Sequence, residues 1–528
     1  MYLIISLISV SIIITISFLS PYYYIKIQQG DRRRKINRDL GSAITFMYAL
    51  SSGNMNLPEI FRRLAVYDNA FGEVSKEAKL IVTEIDFFSS DLESAINELI
   101  LTTPSENMQE FLADLIPVMR AGGDVSSYLS DKSQQYLDQA IEEQENFIEF
   151  LGYLSEGYIA GFVAGPLLII LGLVMLILSF GQAPTPLYYI IYLLLPLGGL
   201  FFVVLLKLVS PIESKAQETQ LKRTQKTGDK LESPKGQKTK LEVSLKERTK
   251  NLYKYAVSEP HITLLFSVPL FLIFLIYIYL TQGVGPIWNS IEMYSMILML
   301  ISLTPIAVFY EIRNYRETKI RNEFPDLLRV LEGLNKTGMT LKKTLLEASE
   351  IPGIVGKSLK DVKRGLKWDF NLRNLIKYFA NRLNEINITR SIIIILEGTR
   401  AHGNISSVLK VTKKDSIKRK KLKEKRKMNI RPYILLVWVA FLVFLFTSYI
   451  FQVQFLGSIP KGGLETGRFG FSIGQIEMIK DIIGHSSMIM GFISGIIAGE
   501  LSQGTILAGI KHAIVMVSLA YLTFYLII

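Results

Sequence analysis

One stretch of the 528-residue sequence approaches a catalytic signature: GIVGKS, residues 353–358. A phosphate-binding loop needs G-x-x-x-x-G-K-[ST], because a full turn of backbone N–H groups must wrap the phosphates before the lysine reaches them. Counting back from Gly356, the first glycine would stand at position 351, which is Ile351. The stretch also follows a helical pattern rather than a strand, so it reads as an interhelical loop. The four histidines, His261, His402, His485 and His512, have no neighbour at metal-ligand spacing, and no H-E-x-x-H occurs. With no cysteine in the chain, thiolate metal sites, disulfides and Cys nucleophiles are excluded. Serine and carboxylate constellations with hydrolase spacing are absent too. The sequence therefore predicts no catalytic residue, no cofactor and no metal, and its function has to be sought in the elements.

Those elements belong largely to a membrane. Mean hydropathy is +0.30, and the apolar residues collect in long uncharged runs rather than spreading evenly. Eight runs read as spans, at about 2–20, 157–180, 187–209, 262–280, 289–310, 432–455, 484–500 and 505–528, most of them reaching the ~20 residues that cross hydrocarbon. RRRK (32–35) follows the first run, which sets the N-terminus outside and residue 26 onward inside. Of the 59 Lys and Arg, 55 then fall in 26–156 (12), 207–261 (13) and 311–431 (30), all on the cytoplasmic side. The expected organisation is a first transmembrane helix (1–25), a helical bundle (26–156), a transmembrane hairpin (157–209), a polar tether (210–260) and a second hairpin (261–310). A second bundle (311–431) and C-terminal spans (432–528) with an outer loop at 456–483 follow. The tether, rich in Lys, Gln, Thr and Glu, has too few apolar residues to offset the cost of ordering it.

The two bundles differ sharply in charge. Residues 26–150 hold 12 basic and 21 acidic side chains, a net of −9, whereas 311–431 hold 30 and 13, a net of +17. Both read as helical. RDLGSAITFMYALSSG closes on Gly53 and FPDLLRVLEGLNKTG on Gly338, glycine being the natural residue just past a helix end. No segment alternates as a strand would, so the fold class is all-α. RAGGDVSSYL (120–129) recurs as RAHGNISSVL (400–409), with six of ten residues identical at an offset of 280. GEVSKE (72–77) faces GIVGKS at 281. These collinear matches predict a duplicated module. In the first repeat a helix ends at Gly122-Gly123 and Asp124 caps the next by accepting a backbone N–H three residues on; in the second, Gly403 and Asn404 can do the same two jobs. Arg120, Gly123, Asp124, Arg400, Gly403 and Asn404 thus mark two elbows, each feeding a stalk toward its own span.

Within the spans, Gly157, Gly161 and Gly165 form one ladder and Gly491, Gly495 and Gly499 another. Stripes of this kind predict close helix packing, within the chain or between two copies in a homodimer. Lys511, inside the last span, is expected to reach the cytoplasmic surface or to pair with Glu500. The run KVTKKDSIKRKKLKEKRKMNIR (410–431) lacks the interleaved aromatics of a nucleic-acid surface; anionic lipid headgroups or an acidic partner suit it better. The acidic first bundle could itself be that partner.

Two helical bundles built around RAGG (120–123) and RAHG (400–403), each ahead of transmembrane helices, resemble the type II secretion F domain. The closing hairpin GFISGIIAGELSQGTILAGIKHA (491–513) is similar to the end of the archaeal members, the platform proteins of archaella and archaeal type IV pili. Eight spans also fit the archaeal branch, since bacterial relatives have fewer. The resemblance implies a non-enzymatic platform that contacts a cytoplasmic hexameric secretion ATPase and prepilin- or archaellin-like subunits in the cell membrane. Arg400, Lys413, Lys414 and Lys418 are the candidate ATPase contacts. A secondary transporter or channel with large cytoplasmic domains is the competing class, and a membrane-bound signalling scaffold a third.

Overall fold

The structure, a computed structural model, describes residues 2–180, 185–209, 256–257, 259–282, 291–400, 404–458 and 473–527, with the backbone alone along most of residues 2–25. Nearly all of the tether 210–260, residues 459–472 of the outer loop, most of the two connections near 181–186 and 281–287, and His402 and Gly403 lie outside those residues.

Among the described residues there is no strand, as the sequence predicts. Helix α1 (Tyr2–Ser51) enters the first bundle, followed by α2 (Leu57–Val66), the short α3 (Asp68–Phe71), α4 (Glu73–Phe87), α5 (Leu92–Thr102), α6 (Glu106–Arg120) and α7 (Val125–Tyr158). A π-helical turn at Ile159–Ala164 joins α7 to α8 (Gly165–Phe180); α9 (Thr185–Tyr189) and α10 (Leu195–Val209) are joined in the same way. Next come α11 (Leu264–Gln282) and α12 (Ile291–Lys336). The second bundle continues through α13 (Leu341–Ala348), α14 (Ile354–Lys367), α15 (Leu372–Leu383), α16 (Ile386–Gly398) and α17 (Ile405–Ile450). The chain closes with α18 (Ile473–Gln503) and α19 (Ile506–Leu522).

Among the described residues seven helices are long and apolar enough to cross a membrane: Val125–Ile177, Thr185–Val209, Pro260–Thr281, Met296–Lys336, Ile405–Ser458, Gly474–Gln503 and Ile506–Tyr525. They coincide with seven of the eight expected spans. The eighth, 2–20, lies in the part of α1 whose side chains are outside the described residues. The protein is an all-α, polytopic membrane protein.

The chain divides into two compact units. The first consists chiefly of Met1–Glu142 and Glu317–Leu422 and contains both bundles. Its repeat is visible in the packing. On α1 the buried stripe is Ile36, Leu40, Ala43, Ile44 and Met47; on α12 it is Ile320, Phe324, Leu327, Leu328 and Leu331, an offset of 284 throughout. These spacings keep one face of a 3.6-residue helix turned to its core. Gly72 (φ +57°) and Gly353 (φ +107°), the first residues of the matching hexapeptides, both stand at the N-cap, of α4 and α14 respectively.

Two local expectations are corrected. Past α1 the left-handed residue is Asn54 (φ 67°), not Gly53. Gly53 is small for a tertiary reason: a Cβ there would lie 3.0 Å from Cγ2 of Val408. Gly338 (φ +83°) does end α12 as expected. GIVGKS is not a loop after Gly353, because Ile354–Ser358 form the first turn of α14. The place an anion would take at that helix start is filled by Glu323, whose Oε2 accepts from the Val355 N–H at 3.0 Å. A Cβ on Gly356 would fall 1.7 Å from the carbonyl oxygen of Ile351, so this glycine serves the tight approach of the preceding turn.

The second unit, Glu143–Ile212, Glu232–Arg316 and Lys423–Ile528, contains the remaining apolar helices. One of its cores gathers Leu151, Tyr158, Leu195, Val437, Phe444, Met490 and Ile497, the other Val174, Ile191, Phe441, Ile479, Met516 and Ala520.

Candidate functional site

The elbows are built from backbone up. At the end of α6 the Gly122 N–H donates to the Met119 carbonyl (3.1 Å) and the Gly123 N–H to Val118 (2.9 Å). With φ +63° at Gly122, this is the pattern that closes a helix on a left-handed residue. Of the expected pair Gly122-Gly123 the left-handed residue is Gly122, while a Cβ on Gly123 would crowd the Val118 carbonyl at 3.3 Å. Asp124 caps α7 through Oδ1, which accepts from Ser126 N–H at 2.9 Å, two residues on rather than three. Asn404 Oδ1 accepts from Ser406 (3.1 Å) and Ser407 (3.3 Å) at the start of α17. The helices so started run for 53 and 54 residues, Val125–Ile177 and Ile405–Ser458, each polar at first and apolar afterward. Arg120 Nε bonds Glu93 Oε1 at 2.9 Å, and this pairing holds the Glu93 carboxyl below its ordinary range. Arg400 reaches Glu397 at 3.3 Å instead.

Between the bundles lies a buried junction centred on α16, which packs on α1 and α3 and is buried at every residue from Ile388 to Gly398. Arg390 projects from this otherwise isoleucine-rich helix. Its Nε donates to the Ala70 carbonyl (2.7 Å), NH1 to Ser42 Oγ (3.0 Å) and NH2 to Asp39 Oδ1 (2.5 Å). The guanidinium also stands over the Phe71 ring, 5.8 Å from its centroid. Burial pulls its pKa down, the Asp39 carboxylate opposing that shift. A buried charge survives only when paired and hydrogen-bonded, and here all of its donor faces meet the first bundle.

A second charged knot sits at the end of α16. The Glu397 side chain is fully buried and accepts from the Tyr67 hydroxyl. Around it stand Arg400, Arg373 at 3.5 Å and Arg63 Nε at 3.6 Å. Burial, and then the carboxylate it bonds, push the Tyr67 hydroxyl well above its usual pKa. Tyr67 and Arg63 come from the first bundle, Glu397, Arg373 and Arg400 from the second. Val408, fully buried, wedges between the two: a Cβ on Gly53 or on Gly398 would meet its methyls at 3.0 and 2.7 Å.

The acidic bundle thus docks on the basic one within this chain, and two of the candidate partner-contact lysines take part in the first unit's own packing. Lys413 pairs with Glu332, a nearly buried carboxylate of α12 that Lys336 also approaches at 3.0 Å. Lys418 bonds the Gln134 amide oxygen of α7. Lys414 faces a cavity of about 190 Å³ that it shares with Tyr48, Ser130, Asp131 and Asp415. The Arg400 side chain is 40% exposed.

In the second unit the glycine ladders part company. A Cβ on Gly491, Gly495 or Gly499 would collide with the facing helix, at 3.1 Å from the Met516 carbonyl carbon, 2.2 Å from Ala513 Cα and 1.9 Å from Gly509 N. This ladder is the seam of the α18–α19 hairpin. A Cβ on Gly157 or Gly161 would meet nothing within 4 Å among the described residues, and one on Gly165 only the Ala160 carbonyl of its own helix. Within one copy of the chain the first ladder faces no other described helix; Gly161 lies in the π-helical turn Ile159–Ala164 and Gly165 just past it. The close approach on α10 is made by glycines outside both ladders, Gly198 beneath Phe162 and Gly199 beneath Ile493. Lys511 pairs with Glu311 (3.2 Å), not with Glu500. Of the histidines, His485 bonds Tyr192, His512 accepts from Trp438 Nε1 and His261 lies 3.7 Å from Glu259. Among the described residues no group of three or more His, Cys, Asp or Glu could hold a metal ion.

With that architecture in place, known proteins supply a class. The family "Type II secretion system (T2SS), protein F" matches twice, over residues 43–173 and 327–452. Each match runs from a bundle through its elbow into the helix that follows. The chain belongs to the type II secretion system F-domain family and carries its domain in two copies. A protein of Methanocaldococcus jannaschii, described as uncharacterized, is 22% identical over 526 residues, covering 97% of this chain and 82% of the relative. No solved structure matches the chain.

The residues that sequence reasoning missed are Arg390, Asp39, Tyr67 and Glu397. One signal was available: a lone arginine in INITRSIIIILEG (386–398), where an unpaired charge would be prohibitive.

Proposed function

We propose that this chain is the membrane platform on which an archaeal type IV pilus-like filament, an adhesive pilus or an archaellum, is assembled. In this reading a cytoplasmic hexameric secretion ATPase acts on the two bundles, and prepilin- or archaellin-like subunits are moved from the cell membrane into the fibre. One observation carries it: two F domains, each starting at its elbow a helix of 53 or 54 residues that continues into an apolar span. A push on either bundle has a covalent, helical route into the membrane. The bundles are cytoplasmic in this proposal because 55 of the 59 basic residues then lie inside. The protein contributes surfaces rather than catalysis, and the work comes from the ATPase.

A transporter or channel is less well supported. The large membrane cavity, about 920 Å³, is lined mainly by apolar side chains such as Met296, Met299, Met488 and Phe492, with Tyr192, Ser302 and His485 as the polar ones, which offers a polar solute or an ion few ligands. Deleting the gene in its host should abolish one class of surface filament. Removing 311–431 should release the ATPase from membranes. Intact filaments in the deletion strain, or solute flux through the purified protein in liposomes, would overturn the proposal.

A further inference from the structure

Both bundles end one helix on an exposed aromatic residue, at equivalent positions. Phe88 is the C-cap of α4 and Trp368 the C-cap of α14, 280 residues apart, the offset of the elbows themselves. Their exposures are 69% and 76%, and Phe87 (82%) and Phe370 (47%) stand beside them. The next residues, Ser89 (φ 55°) and Asp369 (φ 57°), are both left-handed without being glycine. Asp91 and Asn371 then open α5 and α15. The same strained turn is thus built twice, and each time it displays a ring to solvent instead of tucking it into the core.

The rims of the two tips carry opposite charge. Residues 84–93 hold Glu84, Asp86, Asp91 and Glu93 and no basic residue, a net of −4. Residues 364–373 hold Arg364, Lys367 and Arg373 against Asp369, a net of +2. Part of this is used locally: Arg62 pairs with Asp86, Arg120 with Glu93, Asp361 with Arg364, and Arg373 turns to Glu397. Glu84 and Asp91 remain around one tip and Lys367 at the other. A partner offering identical pockets could not favour both signs, and an anionic lipid surface would repel the Phe88 tip. A second copy of this chain supplies what each tip lacks, an apolar face ringed by the opposite charge.

We propose that the Phe88 tip of one chain docks on the Trp368 tip of a second copy, and reciprocally, giving a two-fold dimer with two aromatic contacts. Reciprocity follows from the two-fold axis, which makes the acidic tip of each chain meet the basic tip of the other. Exposed aromatics at the centre and charges at the rim are the arrangement in which a few residues carry most of the affinity.

The test uses the full chain in detergent, with its mass measured across a concentration series. Dimers are expected at micromolar concentration, and Phe88→Ser or Trp368→Ser should each weaken dimerisation at least about tenfold. The double variant should be scarcely weaker than either single one, because both residues serve one contact. Glu84→Lys should weaken the dimer and Lys367→Glu in the same chain restore it, a rescue that a misfolded variant would not give. Because the chain has no cysteine, oxidising a mixture of Ser90→Cys and Lys367→Cys chains should give a disulfide-linked dimer that neither gives alone. A monomeric wild type, a dimer indifferent to both aromatic substitutions, or additive losses in the double variant would overturn the proposal.

Discussion

At the scale of single residues, the junction depends on charges that burial makes expensive to separate. Arg390 and Asp39 are 9% and 1% exposed, so losing one leaves the other stranded. Arg390→Met should destabilise the first unit by roughly 3–5 kcal/mol, read as a lower unfolding midpoint or as protease cleavage between the bundles. Adding Asp39→Asn should recover part of the loss, because the uncompensated carboxylate is gone. Glu77 makes the opposite case. Its side chain is fully buried, and burial raises its pKa above the ordinary 4.5 despite Arg32 at 2.7 Å. The folded state then binds the proton more tightly than the unfolded chain, so this group's contribution falls as pH rises from 4.5 through the raised value. Glu77→Gln, which imitates the protonated form, should be more stable than wild type at pH 7. The difference should vanish as the pH is brought below about 4.5, where both states of the wild type are protonated. Thermal unfolding at several pH values measures it, and a Gln variant less stable at neutral pH would reverse the argument.

At the scale of elements, the α18–α19 hairpin depends on glycines for contact, whereas the 157–165 ladder meets no other described helix within one copy of the chain. Gly499→Ala should cost about 1–3 kcal/mol because its methyl has nowhere to go, while Gly157→Ala should stay within about 0.5 kcal/mol. Melting temperatures in one detergent compare the two directly. This contrast also marks what could be read from sequence. The helices, seven of the eight spans and the elbow at 120–124 were legible, because capping residues, uncharged runs and the repeated RAGG and RAHG report local physics. Gly338 was likewise read correctly as a helix end. Gly53 was misread because its smallness answers Val408, a residue 355 positions away (408 − 53). The two ladders look alike in sequence, and only the fold shows which of them meets a helix of the same chain. Of the two expectations for Lys511, the surface or Glu500, the pairing named the only acid nearby in sequence, whereas the fold presents Glu311. For the Arg390 and Glu397 knots the sequence offered only the lone arginine, since Asp39, Ser42, Arg63 and Tyr67 come from the other bundle.

At the scale of the whole molecule, the decisive quantity is where the charge lies. The docking of an acidic bundle on a basic one is internal to this chain, with Arg390 on Asp39 and Lys418 on Gln134. The excess basic charge of the second bundle is therefore only partly answered from within, which leaves room for lipid headgroups or an acidic partner along 410–431. That reading requires both bundles to share one side of the bilayer, because the sign of the membrane's own bias is the same for both. Single cysteines test it without background labelling, the natural chain having none. Ser89→Cys in the first bundle and Lys367→Cys in the second should resist a membrane-impermeant maleimide on intact cells and react once the membrane is opened. Glu477→Cys, at the exposed start of α18, should react on intact cells. Labelling of either bundle from outside would break the match between the spans and the distribution of lysine and arginine, and with it the proposal that a cytoplasmic motor grips this protein by its two F domains.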